Sequence, residues 1–152
     1  MRAARERIGT FGCLIPTAQK AGVTLREELA PDLPMVECDA SQMQQVILNL
    51  VMNAIQASPA SSEIVIRTLA RSYEVCVEVI DQGTGVTPET REELFTPFFT
   101  TKTDGMGLGL PIAQQIVMNH GGQIAMRPNS PAGSVFTIRL PMKHHAQLEA
   151  HV

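Results

Sequence analysis

Two asparagines four residues apart, Asn49 and Asn53, could tie a magnesium ion to a phosphate chain. On a helix that spacing points both side chains the same way. An amide oxygen is a hard, neutral ligand suited to Mg2+, which keeps several waters and bridges phosphates. Asp81 offers a second chemistry. It stands where an apolar stretch runs out into a loop, and a carboxylate there can accept a hydrogen bond from the exocyclic amine of adenine. Guanine would present a carbonyl instead, leaving both oxygens unpaired. Glycines at 83 and 85 let the backbone approach the base and take positive φ. A third chemistry lies in Gly105, Gly107 and Gly109. A Gly-rich approach to a helix N-terminus offers free N–H groups and the positive end of a dipole to phosphates. Lys and Ser/Thr do not follow the last glycine, so this is no Walker-type loop.

Each feature alone has a plainer explanation. Paired Asn residues often edge a surface helix, Asp-Gln-Gly is a common turn, and Gly-x-Gly before a helix can be simple close packing. Lys102 either reaches phosphates or is a solvated surface lysine. Phe95, Phe98 and Phe99, three of only five phenylalanines, pin a loop to the core. Their packing could also report whether that loop has closed, since closure is a shift between two arrangements.

The elements that must position these groups are readable from periodicity. Residues 16–21, with Gly22 as a stop, read as the end of a helix. Residues 23–29 alternate weakly as a strand, and Pro31, Asp32 and Pro34 mark a loop. A helix is expected from Ser41, which with Gln44 makes a capping box. Met43, Val46, Ile47, Leu50, Val51 and Ala54 give it a core face. Gln45, Asn49, Asn53 and Gln56 form a polar stripe along its edge. Ser58-Pro59 ends it. Strands are expected at 63–69 and 73–80, joined by a three-residue hairpin link at Ala70-Arg71-Ser72. Residues 82–106 are rich in Gly, Thr and Pro, with a short helix at 88–94; so long a connection is usually functional. A helix over 110–119 has Pro111 in its first turn and pairs Ile112 with Ile116 and Ala113 with Val117 on one apolar face. Gly121 and Gly122 stop it, and His120 before them reads as a structural last-turn residue. Strands at 123–126 and 134–140 close the set, with Phe136, Ile138 and Leu140 on one face. Strands and helices interleaved without strict alternation indicate an α+β layer, helices on one face of a mixed sheet.

Taken in order, Asn49-Leu50-Val51-Met52-Asn53-Ala54, Asp81-Gln82-Gly83-Thr84-Gly85, Leu94-Phe95-Thr96-Pro97-Phe98-Phe99-Thr100-Thr101-Lys102 and Gly105-Met106-Gly107-Leu108-Gly109-Leu110 resemble the N, first G, F and second G boxes of two-component sensor histidine kinases. The resemblance is to their ATP-binding catalytic domain. It covers roughly residues 20–142, and the run from Pro97 to Lys102 is similar to the nitrogen- and oxygen-responsive branch. It implies a two-layer α/β sandwich of the Bergerat type: about five strands covered on one face by about three helices, with a mobile ATP lid. It implies ATP and Mg2+ as cofactors and Asn53 as the metal ligand. Asn49, Asn53 and Lys102 would be catalytic. The nucleotide would lie against Asn49, Asn53, Gln56, Asp81, Gly83, Gly85, Val86, Phe99, Thr100, Thr101, Lys102, Gly105, Met106, Gly107, Leu108, Gly109 and Leu110.

The same resemblance makes Asn49 informative. Gyrase, mismatch-repair, heat-shock chaperone and mitochondrial kinase relatives carry a Glu there, which can act as a general base. Asn cannot take a proton. Sensor kinases tolerate this because a histidine of another domain attacks. That phosphoacceptor histidine, followed by Glu or Asp, has no match in this chain: His120-Gly121 and His144-His145-Ala146 do not fit. The expected organisation is therefore a remnant of a dimerisation helix or linker at 1–20, a catalytic domain at 21–142 and a disordered tail at 143–152. The expected partners are a separate dimerisation and phosphoacceptor domain and, through the full kinase, a response regulator. The lone domain is expected to be monomeric. A non-catalytic nucleotide- or partner-binding module and a self-contained ATPase of the same fold are the alternatives.

Composition sets outer bounds. At 152 residues and 44% hydrophobic the chain can bury one core. A net charge of −3 gives no basic field, which argues against a dedicated nucleic-acid binder. Cys13, Cys38 and Cys76 form neither a disulfide framework nor a zinc pattern, and a reducing cytosol is the natural expectation. No apolar run nears the ~18–20 residues of a membrane span, so no membrane contact is expected from this segment.

Overall fold

The computed structural model describes residues 14–34, 36–83, 85 and 109–142. Eight elements follow in chain order. They are α1 (Ile15–Ala21), β1 (Thr24–Glu28), α2 (Ala40–Ala57), β2 (Glu63–Arg71), β3 (Glu74–Ile80), α3 (Gly109–Asn119), β4 (Gln123–Pro128) and β5 (Ser134–Pro141). The expected short helix at 88–94 and the expected lid lie outside the described residues.

The strands form one five-stranded sheet in the order β1-β2-β3-β5-β4. β1 and β2 are parallel, and parallel neighbours need a crossover, which α2 supplies. The other pairs are antiparallel. This is the mixed α+β layer expected from the sequence, with three helices among the described residues. Met43, Val46, Ile47, Leu50, Val51, Ala54 and Ile55 of α2 are buried. They meet Ile64, Ile66, Val75, Val77, Val79, Phe136, Ile138 and Leu140 from the sheet. That core repays the ordering of an 18-residue helix, since most helical stability comes from a packed apolar face.

The opposite face of the sheet carries charge. Glu63, Arg26, Glu28, Arg67, Glu78 and Arg127 form a continuous chain of ion pairs at 3.0, 2.9, 2.9, 3.5 and 3.2 Å. Three glutamates against three arginines cancel. The charged β1 edge, Thr24-Leu25-Arg26-Glu27-Glu28, also discourages pairing with another chain.

Four local expectations need correction. The α2 cap is Asp39, not Ser41: Asp39 Oδ1 accepts from Gln42 N at 3.0 Å. A carboxylate also complements the positive end of the helix. The hairpin link is the two-residue turn Ser72-Tyr73, because β2 runs on to Arg71. Ser72 takes φ 53° there. Ile112 is 42% exposed, so only Ala113 and Val117 form the buried row of α3. Asp81 lies beyond β3 as expected, but α3 begins one residue early, at Gly109.

His120 follows α3 as expected and does more than terminate it. Gly121, at φ 76°, and Gly122 turn the chain, with Gly122 N donating to Val117 O at 3.0 Å. The ring straps two helices. Its Nε2 accepts from Asp39 N at 3.1 Å. That leaves Nδ1 to carry the proton and donate to Ile116 O at 2.7 Å. Replacing His120 with Ala is expected to lower stability by about 1–2 kcal/mol and the melting temperature by a few degrees. Thermal unfolding checks this; an unchanged midpoint would mean the strap bears no load.

Candidate functional site

The polar stripe of α2 faces the start of α3. Asn49 is half-buried, and its Nδ2 donates to Gly109 O across a long 3.4 Å bond. That contact brings the first asparagine to the last glycine of the Gly-x-Gly-x-Gly run. Asn53, one turn further along, is also half-buried, and Gln56 is exposed. Gly109 opens α3, and among the described residues beyond its own helix nothing lies within 4 Å of where a Cβ would sit. Leu110 packs partly against the core. A helix start and two amides thus occur together.

Asp81 anchors the other side. It is 3% exposed. Its N–H donates to Ser134 O at 2.9 Å. Its Oδ1 accepts from Gly83 N at 2.9 Å and from Ser134 N at 3.1 Å. Among the described residues none donates to Oδ2. Burial pushes the carboxyl above the ordinary aspartate range, and the two backbone donors oppose that rise. A buried acid with one oxygen held by two backbone donors, and a second to which none of the described residues donates, can accept a hydrogen bond from something else.

The glycines act differently from one another. Gly85 takes φ 77°, as a left-handed turn requires. Gly83 has no such angle. A Cβ at Gly83 would stand 2.4 Å from Ala57 O at the end of α2, so its role is close approach. That contact seats the Asp81 loop against the helix that carries the asparagines. Gln82 secures the loop from outside, its Oε1 accepting from Glu63 N at 3.2 Å.

The structure thus brings Asn49, Asn53, Asp81, Gly83, Gly85, Gly109 and Leu110 onto adjoining elements. Val86, Phe99, Thr100, Thr101, Lys102, Gly105, Met106, Gly107 and Leu108 lie outside the described residues. Three residues that periodicity does not single out also matter: Asn129 and Gly133 from the β4–β5 turn, and Ser134, the first residue of β5. Asn129 Nδ2 donates to Asp81 O at 2.8 Å, and Ser134 supplies half the bonds to the carboxylate. The run Asn129-Ser130-Pro131-Ala132-Gly133 reads as a turn; nothing in it signals contact with a residue 48 positions earlier.

Residues 38–144 match the family model of histidine kinase-, DNA gyrase B- and HSP90-like ATPases. The chain belongs to this family. It is 39% identical to the sensor histidine kinase ZraS of Salmonella typhi over 82% of its own length and 27% of that protein's. Its fold superposes on the catalytic domain of histidine kinase ThkA with a TM-score of 0.82 at 34% identity, covering 91% of this chain and 92% of that one. ThkA in complex with the response regulator TrrA matches at 0.79 and 32% identity, over 93% of this chain and 41% of that one. The chain is therefore a HATPase_c catalytic domain of the sensor-kinase kind, and ATP binding follows from the family. It spans about a quarter of the length of the curated kinases it matches. No helix among the described residues is long and apolar enough to cross a membrane.

The donor set fits a magnesium–adenine nucleotide. Neutral amides suit a cation that must also bind phosphate oxygens. An acid whose second oxygen takes no bond from the described residues suits an amine. The start of an eleven-residue helix suits the phosphates.

Proposed function

We propose that this chain binds ATP through Mg2+ and holds the γ-phosphoryl group for transfer to a histidine on a separate dimerisation domain. A response regulator would be the next acceptor. The observation that carries the adenine assignment is Asp81: a buried carboxylate whose Oδ1 is taken by two backbone donors while none of the described residues donates to Oδ2. Asn53 would hold the metal, and Asn49, one turn earlier, would line the same pocket. Asn49 has no proton-accepting function at the place where a water-activating base would be needed. Positioning and charge stabilisation are most of what phosphoryl transfer asks of a protein. The domain would then work in the reducing interior of the cell, on the side where ATP is supplied.

The test uses this chain with a separately made dimerisation domain of a sensor kinase of this branch. With Mg·ATP, label should pass to that domain's histidine, while the chain alone releases phosphate very slowly. Steady release by the lone chain would favour a self-contained ATPase, and nucleotide binding without any transfer would favour a regulatory module. Asn53→Ala is expected to abolish the dependence of ATP affinity on Mg2+. Calorimetric titration with and without the ion decides it. If affinity still rises with Mg2+ as in the wild type, Asn53 is not the ligand.

A further inference from the structure

Asn129 divides its side chain between two tasks. Its Oδ1 accepts from Ser130 N at 3.0 Å, and its own N–H donates to Gly133 O at 3.0 Å. Those two bonds suffice to shape the β4–β5 turn. Its Nδ2 does something the turn does not need: it donates to Asp81 O at 2.8 Å. The Asp81 main chain is therefore held on both sides, its N–H by Ser134 O at the start of β5 and its carbonyl by Asn129 of the turn. Gly133 fills the remaining space, since a Cβ there would meet Asp81 O at 2.0 Å. With the main chain fixed, the carboxylate has little freedom. Oδ1 must bridge Gly83 N and Ser134 N, so the direction of Oδ2 follows.

We propose that Asn129 is a positioning residue for purine recognition, acting through Asp81 rather than on the nucleotide. The inference rests on the reading of Asp81 as the adenine acceptor. Asn129 fixes the carbonyl, the carbonyl fixes the rotation of the Asp81 backbone, and that rotation aims Oδ2. A purine amine and a purine carbonyl are told apart by one lone pair at one place, so the sharpness of discrimination depends on how tightly that place is defined.

Two variants test this. Asn129→Asp keeps an oxygen for Ser130 N but turns an oxygen on the Asp81 carbonyl. Asn129→Ala removes the side-chain bonds without adding charge. ATP and GTP dissociation constants are measured for each by competition against a fluorescent adenine nucleotide, beside the melting temperature. Both variants should bind ATP about tenfold more weakly, with a smaller ATP-to-GTP preference, and the Asp variant should show the larger loss. A merely structural role would lower the melting temperature and leave the ATP-to-GTP ratio of the folded fraction at the wild-type value; that result overturns the proposal. Asp81→Asn run in parallel separates two failures. If it too leaves ATP affinity unchanged, the adenine reading itself is wrong. If it weakens ATP while both Asn129 variants keep the wild-type ratio, only the positioning role is wrong.

Discussion

Asp81→Asn is expected to weaken ATP binding by roughly 1–3 kcal/mol, the scale of a lost charged hydrogen bond, without lowering the melting temperature. The substitution is nearly isosteric. The amide oxygen can still accept from Gly83 N and Ser134 N, the two bonds that hold Oδ1. The change falls on the second position, where an NH2 group replaces Oδ2. Two donors then face each other across the purine amine. A guanine carbonyl would be accepted there instead, so the ATP-to-GTP preference should shrink or reverse. The stability side has the opposite sign. Burial raises the Asp81 carboxyl above its ordinary value, so the folded state holds the proton more tightly than the unfolded one. Stability from this group is present at low pH and is lost as pH rises through the folded-state titration. At neutral pH the charge therefore costs stability, and a neutral Asn removes the cost. The raised value also predicts that ATP affinity falls on acidification at a higher pH than an ordinary carboxylate would give. Calorimetry and thermal melts on the same preparations decide the matter. Affinity and melting temperature falling together would mean that Asp81 is a structural acid.

The same residue marks how much could be read without coordinates. Asp81 was legible because a strand and a loop meet there, and alternation along 73–80 located that meeting. The face of α2 was legible because six apolar positions repeat at helical spacing, and all six are buried. Ends were less legible. Ser41 with Gln44 and Asp39 with Gln42 are both acceptable caps by sequence. Asp39 wins because His120, from the far end of α3, takes its N–H. Ile112 was misread because a fourfold repeat tells which residues share a row, not whether a neighbour covers that row. Cys76 and Glu78 show the same limit from the other side. Both lie on the face away from the helices yet are buried, Glu78 beneath Arg67 and Arg127. Least legible was the clamp on Asp81. Asn129 and Gly133 look like any turn residues and Ser134 like the start of any strand, and their part in the site comes wholly from the β3–β5 pairing that sets Ile80 beside Val135.

That clamp leads to the largest expected effect on the fold. Gly133 has φ 106°, beyond the range that even Asn and Asp tolerate comfortably. A Cβ added there would lie 2.0 Å from Asp81 O and 2.9 Å from Gln82 Cα. Both are backbone atoms in a loop held by Ser134, Asn129 and Gly83, so neither can swing aside as a flexible side chain would. Gly133→Ala is therefore expected to destabilise the chain by about 3 kcal/mol or more, against a total of about 5–15 kcal/mol for a domain. Nucleotide binding should fail with it, because moving Gly133 pulls Ser134 N from the Asp81 carboxylate. Gly109→Ala supplies the contrast. Among the described residues beyond its own helix nothing lies within 4 Å of the new Cβ, and Ala is the better helix residue by up to about 1 kcal/mol. Stability should hold or rise. If ATP affinity falls in Gly109→Ala while adenosine affinity does not, the glycine is needed for the approach of phosphates and not for packing. Urea midpoints for both variants, with ATP and adenosine titrations on Gly109→Ala, distinguish the two uses of glycine. Gly133→Ala with a wild-type midpoint would show that the β4–β5 turn can yield, and the account of a rigidly aimed Asp81 would fall with it.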